Sequence, residues 1–254
     1  MKKGLIILGL ISLFLLNSES VFAQQTKSLP LPKIGIDVGT SDNPEDLTVT
    51  LQLLLLMTIL SLAPSILIMT TAYLRIIISF HFLKQALGTM QMPPNQLLAG
   101  VALFITFFVM APTWEQVNEN ALQPYLNKEI SADSAYTTGI KPVREFMFKS
   151  VRDEDLALFI TFAEITQPQT RTELPTYILI PAYVLGELRA GFIIGFFLFV
   201  PFLMIDMIVS SILMSMGMMM LPPMMISLPF KILLFILVDG WNLIVGSLVR
   251  SFGA

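Results

Sequence analysis

From Leu47 to Leu74 the chain carries no charged residue. That stretch decides which solvent the protein folds in, because about 20 apolar residues suffice to cross a bilayer core. A second apolar run, Gln96 to Ala111, ends at Pro112. From Tyr177 to Ala254 charges appear only at Glu187, Arg189, Asp206, Lys231, Asp239 and Arg250. Composition agrees: 13% of the 254 residues are charged, against roughly 25% in soluble domains. The expected fold is an all-α integral membrane protein with long, broken helices and helical hairpins.

The first residues follow a different logic. Lys2 and Lys3 precede the apolar stretch Gly4 to Leu16, and "VFA" closes at Ala23. A basic start, a short apolar region and a small residue at the junction describe a secretory signal peptide, residues 1–23, cleaved after Ala23. An uncleaved helix is the alternative. Residues 24–46, rich in Pro, Ser, Asp and Gly, read as a flexible extracytoplasmic leader. Residues 47–112 then form a hydrophobic helical hairpin, kinked at Pro64 and broken at "MPPN", Met92 to Asn95. Arg75 and Lys84 fall in its short link, which the positive-inside rule places in the cytoplasm.

Residues 113–176 hold 10 of the 18 acids and 6 of the 15 bases. They read as a polar, helical, extracytoplasmic region. Thr113 and Gln116 fit a capping box, Pro142 suits a first helical turn, and Asp153 suits a cap before the stripe Leu156, Phe159, Ile160 and Ala163. Residues 177–254 are the C-terminal hydrophobic helices. Gly217, Pro222, Pro223 and Pro229 interrupt the uncharged run between Asp206 and Lys231. Irregular backbone at membrane depth requires surrounding protein or a water-filled cavity, so broken helices or a hairpin inside an assembly are expected.

Several residues stand out. Asp206 and Lys231 are isolated charges of opposite sign, each costing ~2.5–3.5 kcal/mol if left unpaired at a helix centre. They form a candidate charge pair between helices or between subunits, the alternative being that each snorkels to an interface. If they simply neutralise each other, reversing both charges together restores what either single reversal loses. Gly186, Ala190, Gly191 and Gly195 crowd one helix face, a pattern that lets backbones approach closely. Glu187 and Arg189 do not share a face and require partners on other helices. Residues 214–225, "MSMGMMMLPPMM", place seven of the 16 methionines in twelve positions. This run is plain apolar packing, a soft-metal path (thioethers suit Cu(I)), or a deformable constriction, which needs a ring of copies.

Other functions are excluded or weakened by what is missing. Without cysteine there is neither a disulfide nor a thiolate metal site, and the single histidine, His81, excludes a zinc site built on a histidine pair. A net charge of −3 gives no sign of nucleic-acid binding. No nucleophile, zincin or nucleotide motif occurs. Asp206 and Asp239 make an aspartyl-protease pair on paper only. Neither catalysis nor a cofactor is expected.

The strings "RIIISFHFLKQALGTMQMPPNQLLAGVALFITFFVMAP" (75–112), "IPAYVLGELRAGFIIGFFLFVPFLMIDMIVSSILMSMGMMMLPP" (180–223) and "SLPFKILLFILVDGW" (227–241) resemble the FliP/SctR family of type III secretion export-apparatus proteins. The signal peptide is closer to the flagellar branch than to the injectisome branch. The resemblance implies a core subunit of a protein export gate in the bacterial inner membrane, at the flagellar basal body. Several copies, usually five, would form a helical ring with FliQ and FliR, in contact with FlhB and other gate components. Unfolded substrates would pass through its centre, and much of the chain would lie on the extracytoplasmic side. It further implies that Met218, Met219 and Met220 line the closed channel as a gasket, and that Asp206 and Lys231 serve contacts between subunits. An injectisome subunit and an ion or copper channel are the alternatives.

Overall fold

The computed structural model describes residues 44–89, 92–165, 170–218 and 220–253. The signal peptide with Ala23, the leader up to residue 43, and Met219 lie outside them. The chain divides into two compact units, residues 1–52 and 53–254, and the second holds every functional feature developed below. All regular structure among the described residues is helical, as a chain must be when no water is present to satisfy exposed backbone groups.

Helix α1 (Pro44–Thr70) continues past Pro64. The break comes instead at Thr71 and Ala72, after which α2 (Tyr73–Leu87) begins. The Tyr183 hydroxyl donates to the Thr71 carbonyl at 2.9 Å, satisfying an acceptor that the helix end orphans. Helix α2 ends at Gly88, whose φ of +73° is left-handed, with Lys84 in its last turn, where a cation meets the negative end of the helix dipole. The expected link between two spans is therefore itself a helix. Its Arg75 is buried, so that residue gives no guide to which side of the membrane the segment faces.

Helix α3 (Asn95–Val117) starts after Pro94 and does not stop at Pro112. It continues through a π-helical turn (Asn118–Leu122) into the short α4 (Gln123–Leu126). Thr113 is buried inside that run, not a cap. Pro112 lies exposed on the helix surface, one of the prolines that membrane helices tolerate. Helix α5 (Ala132–Ser150) is capped by Ser131, whose hydroxyl accepts from the Ser134 N–H at 3.3 Å. Pro142 lies in its middle rather than its first turn. Helix α6 (Asp153–Phe162) has Arg152 at the cap position and Asp153, Glu154 and Asp155 in its first turn, where acids complement the dipole.

Helix α7 (Thr176–Ser215) is one 40-residue helix containing both Pro181 and Pro201. At 1.5 Å per residue it is about 60 Å long, twice the ~30 Å hydrocarbon thickness, so an upright crossing would leave about half of it outside that layer. Helices α8 (Pro223–Leu237) and α9 (Gly240–Arg250) follow, bent by 62° to each other. The bend is set at Asp239, in left-handed backbone, and at Gly240, whose Cα packs against the Phe235 ring too closely for a side chain. By length and composition α1, the α3–α4 run and α7 could each cross a membrane, and the bent α8–α9 pair would make a fourth.

Helix α7 packs against α2, α5, α6 and α8. The core contains Ile76, Phe80 and Leu83 of α2 and Leu179 and Tyr183 of α7, joined by Ala102 of α3 and Leu248 of α9. Outside it the apolar surface is broad. Phe104, Phe107 and Phe108 on α3 and Phe192, Phe196, Phe197 and Met207 on α7 are all exposed, far beyond what a water-soluble monomer presents.

Candidate functional site

Helix α7 carries three charged residues, Glu187, Arg189 and Asp206, and each meets its partner on a different element. Glu187 is fully buried and ion-paired to Arg75 of α2. Arg75 Nε donates to Glu187 Oε2 at 2.8 Å and Nη2 to Oε1 at 2.5 Å, a bidentate fork. The remaining donors are also used. Nη2 reaches Ser150 Oγ at 3.3 Å, and Nη1 reaches the Ser251 carbonyl at 3.1 Å and its Oγ at 3.0 Å. A guanidinium has five N–H groups, and all five have acceptors. The Phe252 ring lies 3.9 Å from Arg75 Cζ, so one face of the cation is covered as well.

Arg189 pairs with Asp155 in the first turn of α6, at 3.1 and 3.4 Å. Glu187 and Arg189 thus find partners on separate elements. The third node joins Asp206 to α8. Lys231 Nζ donates to Asp206 Oδ2 at 2.6 Å and to the Ala86 carbonyl at 3.2 Å, and Ser227 donates to Asp206 Oδ1 at 2.5 Å. Lys231 is 3% exposed and Asp206 28%. In this chain the pair lies within one subunit. Ala86 sits in the last turn of α2, where carbonyls have no intrahelical donor. Lys231 therefore supplies both a counter-ion and a helix cap.

These contacts turn α8 and α9 into a bracket. One arm holds Ala86 near the end of α2 through Lys231. The segment after the other arm holds Arg75 near its start through Ser251.

Gly186, Gly191 and Gly195 are buried, with Ala190 half-buried beside them. Gly191 lies over Ile78 and Gly195 over the Phe82 ring of α2, while Gly186 faces Ser150 and Val151. A Cβ at Gly195 would overlap the Phe82 ring, itself packed edge-on against Phe192. Gly195→Ala should cost ~1–3 kcal/mol by overpacking, and Gly195→Val more. Protease resistance of the detergent-extracted chain would measure this. Wild-type resistance for both variants would mean the α2–α7 contact is loose.

The methionine run occupies the tip of the α7–α8 hairpin. Helix α7 closes with a Schellman motif: the Gly217 N–H donates to the Met214 carbonyl at 3.1 Å and the Met218 N–H to Leu213 at 3.0 Å. Gly217 adopts φ +74°, the left-handed value this cap requires. Pro222 caps α8 and Pro223 opens it, a position where a missing N–H costs nothing. "GMMMLPP" is therefore a stop, a tip and a start. At that tip Met218 is 45% exposed and Met220 99%, while Met216, Met224 and Met225 flank them in the open. Met219 lies outside the described residues.

Sequence reasoning missed Arg75, Ser150, Asp155, Ser227 and Ser251. Arg75 counted as a topological charge, whereas it neutralises Glu187. Ser227 and Ser251 drew no notice because a single serine in an apolar helix carries no pattern of its own. An isolated buried charge nonetheless demands several donors, and that demand was the available signal.

Comparison with known proteins adds an independent line. Residues 56–248 match the FliP family. The chain is similar to the flagellar biosynthetic protein FliP of Bacillus subtilis, with 53% identity over 217 residues, covering 85% of this chain and 98% of that one. It is similar to FliP of Caulobacter vibrioides at 48% identity, covering 86% of this chain and 82% of the relative. It is also similar to FliP of Aquifex aeolicus at 43% identity, covering 99% and 100%.

Proposed function

Since the chain belongs to the FliP family, a family of flagellar biosynthesis and export, we propose that it is a core subunit of the flagellar type III export gate. Several copies, five by the family's habit, assemble with FliQ and FliR and contact FlhB. Unfolded flagellar proteins cross the inner membrane through the middle of that ring, driven by other components. The observation that carries the reading is the exposed methionine tip at the end of the α7–α8 hairpin. Below it Asp206, Ser227 and Lys231 tie α7 to α8. Flexible thioether side chains adapt to irregular surfaces. A ring of them would close around ions and water and yet yield to a passing chain.

The exposed phenylalanines of α3 and α7 fit lipid or neighbouring subunits. Asp206 and Lys231 act within each subunit, setting the height and angle of the tip, and contacts between copies form around that unit. Met218, Met219 and Met220 are the seal.

Replacing Met218, Met219 and Met220 together by alanine should raise small-ion leakage through membranes carrying the assembled complex several-fold. Native mass measurement on a mild detergent extract must first show that the ring still forms. Normal assembly with unchanged leakage would sink the seal.

A further inference from the structure

We propose that the methionine tip is the oxidation site of this protein, where a two-electron oxidant such as hydrogen peroxide or hypochlorous acid converts thioethers to sulfoxides. With no cysteine among the 254 residues, methionine is the chain's only sulfur. An oxidant that attacks sulfur has no thiol to consume it first. Exposure sorts the described methionines sharply. Met110 and Met147 are sealed in the core, whereas Met216, Met218, Met220, Met224 and Met225 are all exposed around one turn, Met220 almost completely. Met57, Met69, Met204, Met207 and Met214 are exposed too, but they lie inside the long apolar helices α1 and α7, whose surroundings in a membrane are lipid tails or other helices; Met92, 67% exposed in the link between α2 and α3, is a single thioether where the tip gathers five. The tip is different. It follows the end of a helix and closes on a turn, so Met216, Met218 and Met220 stand clear of a helix body, with Met224 and Met225 in the first turn of α8 beside them.

The chemistry balances without a cofactor. The thioether sulfur donates a lone pair to one peroxide oxygen and the O–O bond breaks. Sulfur is oxidised by two electrons to the sulfoxide, and the peroxide is reduced to water. A flexible apolar side chain becomes a polar one with a strong acceptor oxygen. Where the tip seals a pore, a reading on which this consequence rests, each copy would contribute several wetted side chains to the constriction. The gate would leak. Methionine sulfoxide reductases return the thioether, so the change is reversible.

The test uses the full chain with its assembled partners in membrane vesicles treated with dilute hydrogen peroxide. Peptide mass measurement follows added oxygen at each methionine, and small-ion leakage is recorded in parallel. Sulfoxide should appear in the 214–225 peptide at least about ten-fold faster than at Met110 or Met147, and faster than at Met57, Met69, Met204 and Met207. Leakage should rise several-fold and fall again after treatment with sulfoxide reductase. In a variant with Met216, Met218, Met219, Met220, Met224 and Met225 replaced by leucine, whatever its leakage before treatment, peroxide should add no further leakage. Equal oxidation rates at the tip and in the helices would overturn the site. Selective tip oxidation without added leakage would support the site and overturn the seal.

Discussion

Replacing Arg75 by leucine should nearly abolish the folded chain in membrane extracts, and Glu187→Leu should do almost the same. Breaking a buried ion pair by removing one partner costs ~3–5 kcal/mol. That is a large share of the ~5–15 kcal/mol that holds a typical domain together. The cost here lies at the upper end, because each partner is stranded where no water reaches: Glu187 is 0% exposed and the Arg75 side chain 7%. Arg75→Leu also releases Ser150 and Ser251 and uncovers the Phe252 ring, which stacks on Phe146 at 6.1 Å. The double variant Arg75→Leu with Glu187→Leu separates the two contributions. A leucine pair buries no charge, and buried ion pairs replaced by apolar residues are often tolerated. Folded yield and protease resistance should recover most of the way, with the residual loss reporting on the serines. If the double variant is as poorly folded as the single ones, charge stranding is not the main cost.

Much of this architecture was legible because membrane solvent leaves few options. Long uncharged runs had to become helices, and the glycines at 186, 191 and 195 had to meet another backbone or a bulky ring. The partners of Glu187 and Arg189 had to be on other elements. Gly217 and the Pro222–Pro223 pair announced a break. What did not show was where helices continue. Pro64, Pro112, Pro142, Pro181 and Pro201 all lie inside helices. Only Pro142 among them is buried, so neither local pattern nor packing alone marks which prolines a helix tolerates. Nor could local pattern identify Arg75, 112 residues from Glu187, as anything but a loop charge. Long-range pairing depends on the packed register of α2 against α7, which no window of sequence contains.

The Asp206–Lys231 node gives a result that differs from simple neutralisation. Either reversal alone, Asp206→Lys or Lys231→Asp, should impair folding and assembly, since it sets like charges together between α7 and α8. Restoring opposite charges by combining the two reversals should recover only part of the loss. Lys231 also donates to the Ala86 carbonyl, at the negative end of α2, where a cation is favourable and an anion repelled. A carboxylate at 231 would face that carbonyl with nothing to donate. The truncations should be unequal as well. Asp206→Leu strands Lys231, 3% exposed, with the Ala86 carbonyl as its one remaining acceptor. Lys231→Met strands Asp206, 28% exposed and still held by Ser227. The first should therefore destabilise more, toward the upper part of the ~3–5 kcal/mol range for a broken buried pair, and the second less. Pulse proteolysis of the four single variants and the exchanged double, alongside native mass measurement, would rank them. Full recovery in the exchanged double would mean that the bond to Ala86 contributes nothing. The tip would then be set by the α7–α8 contact alone, not by a clamp reaching α2.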